Sequence, residues 1–388
     1  MRFSPLIDTL GIYPFVAIDD AKRQALSDGQ ELIDFGIGDP HEPVEDFIRN
    51  ALVSSLDGSV GYPRAVGLDV LRAAIADWCV TRFGVALDPD HEIVPTLGSK
   101  EAIFTFAHLV VDRSADKDIV LTTQPGYPVA LRGARFAGGQ VVELPLHESN
   151  GFLPDLDAIA AETWRRTALV WVNYPNNPTT AVAPLTWYSR LADLAERHDF
   201  ILASDEAYSE LYFEAPPPAS ALEVEDRSRF VVFNSLSKRS GMTGYRSGFI
   251  AASPPIIEAV KAFRPTTGNT PQVFVQHASV AAWRDEDHVE SMRDRYRRKR
   301  DVMIPALERC GFEVVGGSTT MFLWVRTPRD EPSNQAALRL LEQGIVVTPG
   351  AALGLSGESY IRIALVPTLN DCQRAAEILT AAFDEEAA

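Results

Sequence analysis

The run Asn-Ser-Leu-Ser-Lys-Arg-Ser-Gly-Met-Thr-Gly-Tyr-Arg occupies residues 234–246 and follows the apolar stretch Phe-Val-Val-Phe at residues 230–233. The apolar stretch has the composition of a buried strand, so Lys238 lies just beyond a strand end, among small residues that leave room around its amine. Two serines precede Lys238 in the run, and Arg246 follows it. A lysine amine can form a Schiff base with an aldehyde, while hydroxyls and a guanidinium suit a phosphate dianion. The run therefore predicts an anchor for a phosphate-bearing aldehyde.

Short apolar runs without alternation recur along the chain, and helical patterns separate them. They lie at residues 119–121, 141–144, 169–172, 200–203, 230–233 and 248–251. Such runs are typical of a sheet that helices cover on both faces. Polar motifs follow several of these runs, at the strand ends where open α/β sheets bind their ligands. The sequence therefore predicts an α/β fold with a ligand site along one edge of the sheet.

Two of these strand ends carry candidate partners for a pyridine ring. Asp205 ends one apolar run, and its carboxylate could face a protonated ring nitrogen, although an aspartate after a strand also serves as a helix N-cap. Asn177 follows another run in an Asn-Pro-Thr turn, where its amide could donate to a phenolate oxygen. Turn chemistry alone also selects asparagine and proline, so the residue types leave both interpretations open.

Two further segments could complete such a site. Gly98, Ser99 and Lys100 follow a predicted strand and begin a predicted helix, where unpaired backbone N–H groups can bind a phosphate. Tyr127 follows the apolar run at residues 119–121, and its ring could stack on a pyridine face.

In their order and spacing, these motifs resemble the class I and II aminotransferases of fold type I, which use pyridoxal 5′-phosphate. The resemblance extends from about Tyr13 to about Arg362. It implies an α/β fold in which a large domain, with a mostly parallel sheet flanked by helices, is joined to a small α+β domain. The implied boundaries are an N-terminal segment at residues 1–45 joining the small domain, the cofactor domain at residues 46–285, and the small C-terminal domain at residues 286–388.

The resemblance also implies roles for the residues that match. Lys238 is expected to be the Schiff-base lysine and the catalytic acid and base. Asp205 is expected to pair with the ring nitrogen, and Tyr127 to stack on the ring. The full set of expected cofactor-binding residues is Ser99, Lys100, Tyr127, Asn177, Asp205, Tyr208, Ser235, Ser237, Lys238, Arg246 and, from a second subunit, Tyr62.

Substrate binding is expected to centre on Arg362, which matches the family arginine that holds the α-carboxylate. A guanidinium fork fits a carboxylate, although an arginine on an edge strand is the plain alternative. Arg264 is a candidate for a distal carboxylate in the partner's site, or an ordinary arginine at a helix C-terminus. The expected substrate-binding residues are Gly38, Asn177, Arg362, Arg264, Asn269 and Tyr13. One departure from the family pattern is Thr180, which stands where glycine usually follows Asn-Pro-Thr.

Runs at residues 97–104, 203–213, 235–240 and 282–289 are most similar to N-succinyl-diaminopimelate aminotransferases of lysine biosynthesis. That likeness implies amino transfer between glutamate and N-succinyl-2-amino-6-ketopimelate. An aminotransferase for aspartate, an aromatic amino acid or alanine is the first alternative, and a carbon–sulfur β-lyase is the second. A cofactor-binding regulator and a nicotinamide dehydrogenase are disfavoured, since the motifs begin close to residue 1 and no strand precedes Gly-x-Gly-x-x-Gly.

The composition agrees with this hypothesis. The 388 residues are 46% hydrophobic, enough for a large core, and 36 basic against 53 acidic residues give a net charge of −17. That charge disfavours nucleic acid and anionic membranes as partners, although the basic residues within 293–300 could suggest a nucleic-acid surface. From Val289, apolar residues at helical spacing instead predict a long solvated helix. We expect a cytoplasmic homodimer with shared active sites, whose partners are small-molecule substrates, namely amino acids and 2-keto acids.

Overall fold

The computed structural model describes residues 3–8, 16–56 and 61–384, so Tyr13 lies outside the described residues. The strands, in chain order, are β1 Ile33–Asp34, β2 Ile93–Thr96, β3 Ile119–Gln124, β4 Gln140–Pro145, β5 Thr167–Asn173, β6 Ile201–Asp205, β7 Phe230–Ser235, β8 Gly248–Ala252, β9 Glu313–Val315, β10 Phe322–Arg326, β11 Ile345–Val346, β12 Thr348–Pro349 and β13 Tyr360–Ala364.

The α-helices are α1 Pro5–Asp8, α2 Val16–Ser27, α3 Asp46–Val53, α4 Asp69–Phe83, α5 Ser99–Val110, α6 Val129–Phe136, α7 Ala161–Arg166, α8 Leu185–His198, α9 Leu236–Arg239, α10 Pro254–Thr267, α11 Val273–Trp283, α12 Asp287–Arg309, α13 Ser333–Glu342 and α14 Leu369–Asp384. Short 3₁₀ turns lie at Glu148–Asn150, Ala221–Glu223, Pro328–Asp330, Gly350–Leu353 and Leu355–Gly357.

The largest sheet among the described residues has the strand order β2-β8-β7-β6-β5-β3-β4. Strands β3 to β7 run parallel, whereas β8 is antiparallel to both of its neighbours. The mostly parallel α/β sheet expected from the sequence is therefore confirmed. Because β5, β6 and β7 are parallel neighbours, their carboxyl ends, at Asn173, Asp205 and Ser235, lie at one edge of the sheet.

Both faces of this sheet are buried, as β5 illustrates. Leu169 and Trp171 pack into a core with α5, whereas Val170 and Val172 pack on the opposite face with α4 and α8. Successive residues of a strand point to opposite faces, so a strand buried on both sides needs apolar residues at nearly every position. This is the physical reason for the apolar runs without alternation.

A second core lies around a smaller antiparallel sheet of order β12-β13-β10-β9. Residues of α12, α13 and α14 fill this core, and Ile33 and Phe35 from the N-terminal part of the chain join it. Strand β1 also pairs in parallel with β11. These contacts agree with an N-terminal segment that associates with the small domain, while the boundaries at residues 45/46 and 285/286 stay a prediction.

The long helix expected from Val289 is α12, and its basic residues are bound within the fold. Lys299 donates to Glu42 at 2.8 Å, Arg295 to Glu45 at 2.6 Å, and Arg298 pairs with Asp294. The cysteines Cys79, Cys310 and Cys372 are buried. Within the described residues, none of the helices is both long and apolar enough to cross a membrane, and no cluster of histidine, cysteine or carboxylate side chains could hold a metal ion.

Candidate active site

A cleft of about 700 Å³ opens at the edge of the large sheet where β5, β6 and β7 end. Most of the side chains expected from the sequence line it together. They are Gly38, Ser99, Lys100, Tyr127, Asn177, Asp205, Tyr208, Ser235, Ser237, Lys238, Arg246 and Arg362. The cleft therefore joins residues that are more than 300 positions apart in the chain.

Lys238 lies on α9, a helix of four residues that begins directly after β7. Ser235 caps this helix, because its Oγ accepts a 3.1 Å hydrogen bond from the backbone N–H of Ser237. The amine of Lys238 extends into the cleft, where Nζ donates to the carbonyl oxygen of Gly38 at 2.5 Å. Burial lowers the pKa of Lys238 to about 8, with smaller effects from Asp39, which raises it, and from Arg362 and Arg246, which lower it. About a tenth of the amine is therefore neutral at pH 7, far more than for a lysine in water.

Asp205 ends β6 and is held through Asn173, its partner in register at the end of β5. Nδ2 of Asn173 donates to the backbone oxygen of Asp205 at 2.9 Å, while its Oδ1 accepts from the N–H of Asn177 at 2.9 Å. The Asp205 carboxylate accepts a 3.2 Å hydrogen bond from the N–H of Ala207. Burial raises the pKa of Asp205 to about 7. A cation placed beside this carboxylate would lower that pKa and keep the group ionised.

Gly98 and Arg246 lie together at the start of α5, beside the cleft. Gly98 precedes α5 with φ 72° and ψ 175°, a conformation that glycine tolerates. A Cβ at this position would lie 2.6 Å from Nη2 of Arg246, so glycine allows the guanidinium to approach the start of the helix. Arg246 donates to Thr243 O at 2.8 Å, to Leu97 O at 3.2 Å and to Ser237 Oγ at 3.4 Å. A helix N-terminus beside a fixed guanidinium suits a phosphate.

Arg362 faces the cleft from β13 and is almost fully buried, with 3% of its surface exposed. Nη1 donates to Oδ1 of Asn177 at 2.9 Å, and Nη2 donates to the backbone oxygen of Gly36 at 2.8 Å. The guanidinium carbon lies 4.5 Å from the ring centre of Phe322. These contacts fix the plane of the guanidinium, so it can present a rigid fork to a carboxylate.

Two tyrosines complete the walls of the cleft. Tyr208 packs edge-on against Phe322, with 5.5 Å between the ring centres. Its burial raises the pKa of its hydroxyl well above the usual value, while Arg362 acts in the opposite direction, so the hydroxyl stays protonated and can donate a hydrogen bond. Tyr127 lies near the start of α6, with Nζ of Lys100 5.9 Å from its ring centre.

The structure places some expected residues elsewhere. Arg264 is buried on α10 and bound to Glu101 at 3.0 Å and to Asn269 O, and Asn269 donates to Glu101 at 3.1 Å. Neither side chain lines the cleft of this chain. Tyr62 is fully exposed on the surface of the single chain. Whether Tyr62 and Arg264 reach a partner subunit's site stays a prediction, as does the role of Tyr13.

Other lining residues were not singled out in the sequence. They are Ile37, Asp39, Asn173, Ala207, Thr243, Gly244 and Phe322. Asn173 carried a usable signal, since it is a polar residue that ends a buried strand next to the strand of Asp205. Phe322 carried none, because an aromatic residue on a short strand is an ordinary core residue.

This arrangement is that of an α/β enzyme whose cleft could hold an anionic cofactor beside a buried lysine. The family described as aminotransferase class I and II matches residues 30–379, and the chain belongs to that family. It is therefore a pyridoxal-phosphate-dependent aminotransferase.

Several known proteins are similar over nearly the whole chain. An LL-diaminopimelate aminotransferase of Nitratidesulfovibrio vulgaris is 39% identical over 370 residues, covering 94% of this chain and 95% of that protein. The crystal structure of an aminotransferase from Neisseria meningitidis superposes with a TM-score of 0.92 at 34% identity, covering 98% of this chain and 100% of the other. A probable N-succinyldiaminopimelate aminotransferase from Thermus thermophilus superposes with a TM-score of 0.88 at 30% identity, covering 95% and 100%.

The residues of the cleft fit pyridoxal phosphate. The phosphate would find the Arg246 guanidinium at the start of α5, where the lack of a side chain at position 98 allows the guanidinium to approach. The Asp205 carboxylate has no cationic hydrogen-bond partner recorded among the described residues, and a protonated ring nitrogen would provide one. The amine of Lys238 faces the same cleft. All three requirements of the cofactor are therefore met by side chains that already lie together.

Proposed function

We propose that this cleft transfers the amino group of a diaminopimelate-type amino acid, with glutamate and 2-oxoglutarate as the second pair of substrates. The observation that carries the proposal is that the Lys238 amine and the Arg362 guanidinium line one cleft. A lysine of lowered pKa can move a proton at an α-carbon, and a fixed guanidinium can hold the neighbouring carboxylate.

Each lining residue then has a proposed task. Bound pyridoxal phosphate supplies a ring that withdraws electrons from the α-carbon of an attached amino acid. Lys238 accepts the proton from the α-carbon, and Arg362 orients the α-carboxylate beside the backbone of Gly38. Asp205 supplies the negative charge that keeps the ring nitrogen protonated. The remaining proposed contacts are Tyr127 with the ring face, Asn177 and Tyr208 with the phenolic oxygen, and Ser99, Lys100, Ser235, Ser237 and Arg246 with the phosphate.

Similarity to diaminopimelate enzymes supports the proposed substrate class. The relative at 39% identity is named for LL-diaminopimelate, whereas the structure named for the N-succinyl compound is 30% identical. Asp39 adds a physical argument, since it is an exposed carboxylate in the lining of the cleft. A free second ammonium of diaminopimelate could pair with Asp39, but succinylation would convert that ammonium into a neutral amide. Free LL-diaminopimelate is therefore the first compound to test.

The N-succinyl compound is the second candidate, supported by the sequence runs that resemble N-succinyl-diaminopimelate aminotransferases. Its added carboxylate would need a cation beyond Arg362. The side chain of Lys100, an exposed cation in the lining of the cleft, is the proposed partner of that carboxylate, while the backbone of Lys100 contacts the phosphate.

A half-reaction on the purified enzyme tests the proposal. One amino donor is added at a time, and the visible absorbance of the bound cofactor is followed. The donors are LL-diaminopimelate, N-succinyl-LL-diaminopimelate, glutamate, aspartate, phenylalanine, alanine and cystathionine. We expect rapid conversion to the amine form of the cofactor with glutamate and one diaminopimelate compound. Conversion with glutamate and aspartate alone would reject the substrate class, and pyruvate release from cystathionine would favour a β-lyase.

An Asp39→Asn variant is the matched control for the choice between the two diaminopimelate compounds. If the free compound is the substrate, the variant should lose roughly tenfold in kcat/KM for it, the size of one exposed charge pair near a site. Because Asp39 also raises the pKa of Lys238, the rate with glutamate serves as the reference, and the loss with free diaminopimelate should exceed any loss with glutamate. Equal losses with both donors would reject the pairing of Asp39 with the distal ammonium.

We further propose that the enzyme acts as a homodimer with shared active sites, in which Tyr62 contacts the phosphate in the partner's cleft. The fully exposed ring of Tyr62 supports this placement. The cytoplasmic location expected from the sequence stays a prediction.

A further inference from the structure

Thr180 adopts a backbone conformation that is unusual for its residue type. It lies in the loop after β5 with φ 60°, in the left-handed region, where β-branched residues are genuine outliers. Such strain persists when the surroundings compensate for it, and it is concentrated at functional sites. Thr180 is almost fully buried, so its surroundings identify the compensation.

The hydroxyl of Thr180 binds a second loop that belongs to the smaller sheet. Oγ1 donates to the carbonyl oxygen of Gly317 at 3.0 Å and accepts from the N–H of Gly317 at 2.8 Å. The carbonyl oxygen of Thr180 also accepts from Oγ1 of Thr319 at 2.5 Å. A Cβ on Gly317 would lie 2.5 Å from that carbonyl, so the two loops touch at backbone distance. Three hydrogen bonds therefore join the loop after β5 to the loop between β9 and β10.

Each of these loops leads directly to a group that holds Arg362. The N–H of Thr180 donates to the carbonyl oxygen of Asn176 at 2.9 Å, which closes the turn that presents Asn177 to the guanidinium. The loop between β9 and β10 ends at Phe322, whose ring lies against the guanidinium. Arg362 is thus held between two loops, and Thr180 joins them.

We propose that Thr180 is a positioning residue that fixes the Arg362 guanidinium for the substrate carboxylate by joining these two loops. Thr180 contacts neither substrate nor cofactor in this proposal, which rests on the proposed role of Arg362. The hydroxyl is the essential group, because it satisfies both polar backbone groups of Gly317. Replacing it would leave those groups unpaired and let the Phe322 side of the site separate from the Asn177 side.

Three substitutions of Thr180 separate the hydroxyl from shape and from strain. Thr180→Ser keeps the hydroxyl, Thr180→Val keeps the shape, and Thr180→Gly removes the hydroxyl while accepting the left-handed conformation. The dissociation constant of glutarate, an unreactive dicarboxylate, is measured on the cofactor-loaded enzyme, and KM and kcat are measured with glutamate. We expect about tenfold weaker binding and a similar rise in KM for the valine and glycine variants, which corresponds to about 1.4 kcal/mol. Their kcat should change less than about twofold, and the serine variant should bind as wild type.

The glycine variant keeps the proposal testable if the valine variant does not fold. Glutarate binding equal to wild type in the glycine variant would overturn the proposal. An equal loss in the serine variant would also overturn it, since the methyl group rather than the hydroxyl would then matter. The proposed role of Arg362 is checked separately with Arg362→Ala. If wild type binds glutarate no better than Arg362→Ala, the proposed role of Arg362 in binding a carboxylate is rejected, and this result differs from a failure of the Thr180 proposal.

Discussion

Nη1 of Arg362 donates a 2.9 Å hydrogen bond to Oδ1 of Asn177, joining the smaller sheet to the edge of the large one. The same guanidinium donates from Nη2 to Gly36 O at 2.8 Å and to Thr348 Oγ1 at 3.2 Å. Acceptors on three segments therefore fix its orientation. A lysine could neutralise a carboxylate at this position, but it could not satisfy these acceptors in the same plane.

Arg362→Lys should therefore be strongly impaired although it conserves the charge. We expect kcat/KM for glutamate to fall about 100-fold or more, because an ammonium cannot reproduce the two parallel hydrogen bonds of the guanidinium, and a hydrogen bond to a charged group contributes roughly 1.5–3 kcal/mol. Steady-state kinetics measure this loss, and the cofactor absorbance of the loaded variant shows whether the fold is intact. A lysine variant within about threefold of wild type would remove the fork from the proposed mechanism.

Much of the cleft could be predicted from the sequence because its residues follow strands. Lys238, Asp205 and Asn177 each come after an apolar run, and the ends of adjacent parallel strands must meet. Arg264 shows the limit of this reasoning. Its position in the last turn of a helix leaves the direction of its side chain open, and in the structure the side chain points inward to Glu101. Such a choice depends on which partner is nearby in space, and spacing along the chain does not contain that information.

The lowered pKa of Lys238 predicts the titration of its amine in the cofactor-free enzyme. Burial disfavours the charged form, so half of the amine should be neutral at about pH 8 rather than near 10.5. Trace labelling with acetic anhydride across the pH range, with a peptide readout for residue 238, measures the midpoint. Asp39→Asn should shift the midpoint down and Arg362→Ala should shift it up, because Asp39 raises this pKa and Arg362 lowers it. Shifts in the opposite directions would contradict the assigned causes.

The raised pKa of Asp205 predicts how the stability of the cofactor-free enzyme depends on pH. Between pH 3.8 and about 7 the folded state binds more protons at Asp205 than the unfolded state. The contribution of this group is therefore greatest below pH 3.8 and is lost as the pH rises through about 7. Urea unfolding of the Asp205→Asn variant should show a smaller decrease over that range than wild type. Burial also raises the pKa of Glu206 to about 7, so Glu206 makes stability decrease over the same pH range. Because Glu206 is unchanged in the variant, part of the decrease in stability should remain in both proteins.

In the cofactor-loaded enzyme, loss of Asp205 should lower the catalytic rate. With cofactor bound, Asp205→Asn removes the proposed partner of the ring nitrogen, and we expect kcat to fall about 100-fold or more, as for other buried charge pairs. Cofactor affinity is measured by equilibrium dialysis. Wild-type turnover in the variant would reject the proposed pairing with the ring.

Arg264 is expected to act on stability rather than on substrate affinity. Its ion pair with Glu101 is 3.0 Å long, and its side chain is 3% exposed. Arg264→Met should lower stability by about 1–3 kcal/mol, because the partly buried Glu101 carboxylate loses its cation but keeps the hydrogen bonds from Asn269 and Leu97. A double variant with Glu101→Gln should recover part of this loss. A rise in KM for glutamate at unchanged stability would instead support the sequence-based expectation that Arg264 reaches the partner's site.

Tyr62 offers a direct test of a shared active site, because its side chain is fully exposed while the cleft of the same chain lies elsewhere. If Tyr62 completes the partner's phosphate site, Tyr62→Ala should weaken cofactor binding about tenfold, the size of one charge-assisted hydrogen bond. Lys238→Ala should be inactive. Refolding the two variants together should produce hybrid dimers in which one site carries both changes and the other carries none. At a cofactor concentration too low to load the Tyr62→Ala enzyme, the mixture should then regain activity that neither variant has alone. Activity equal to the average of the separate variants would show that each chain works without Tyr62 of its partner.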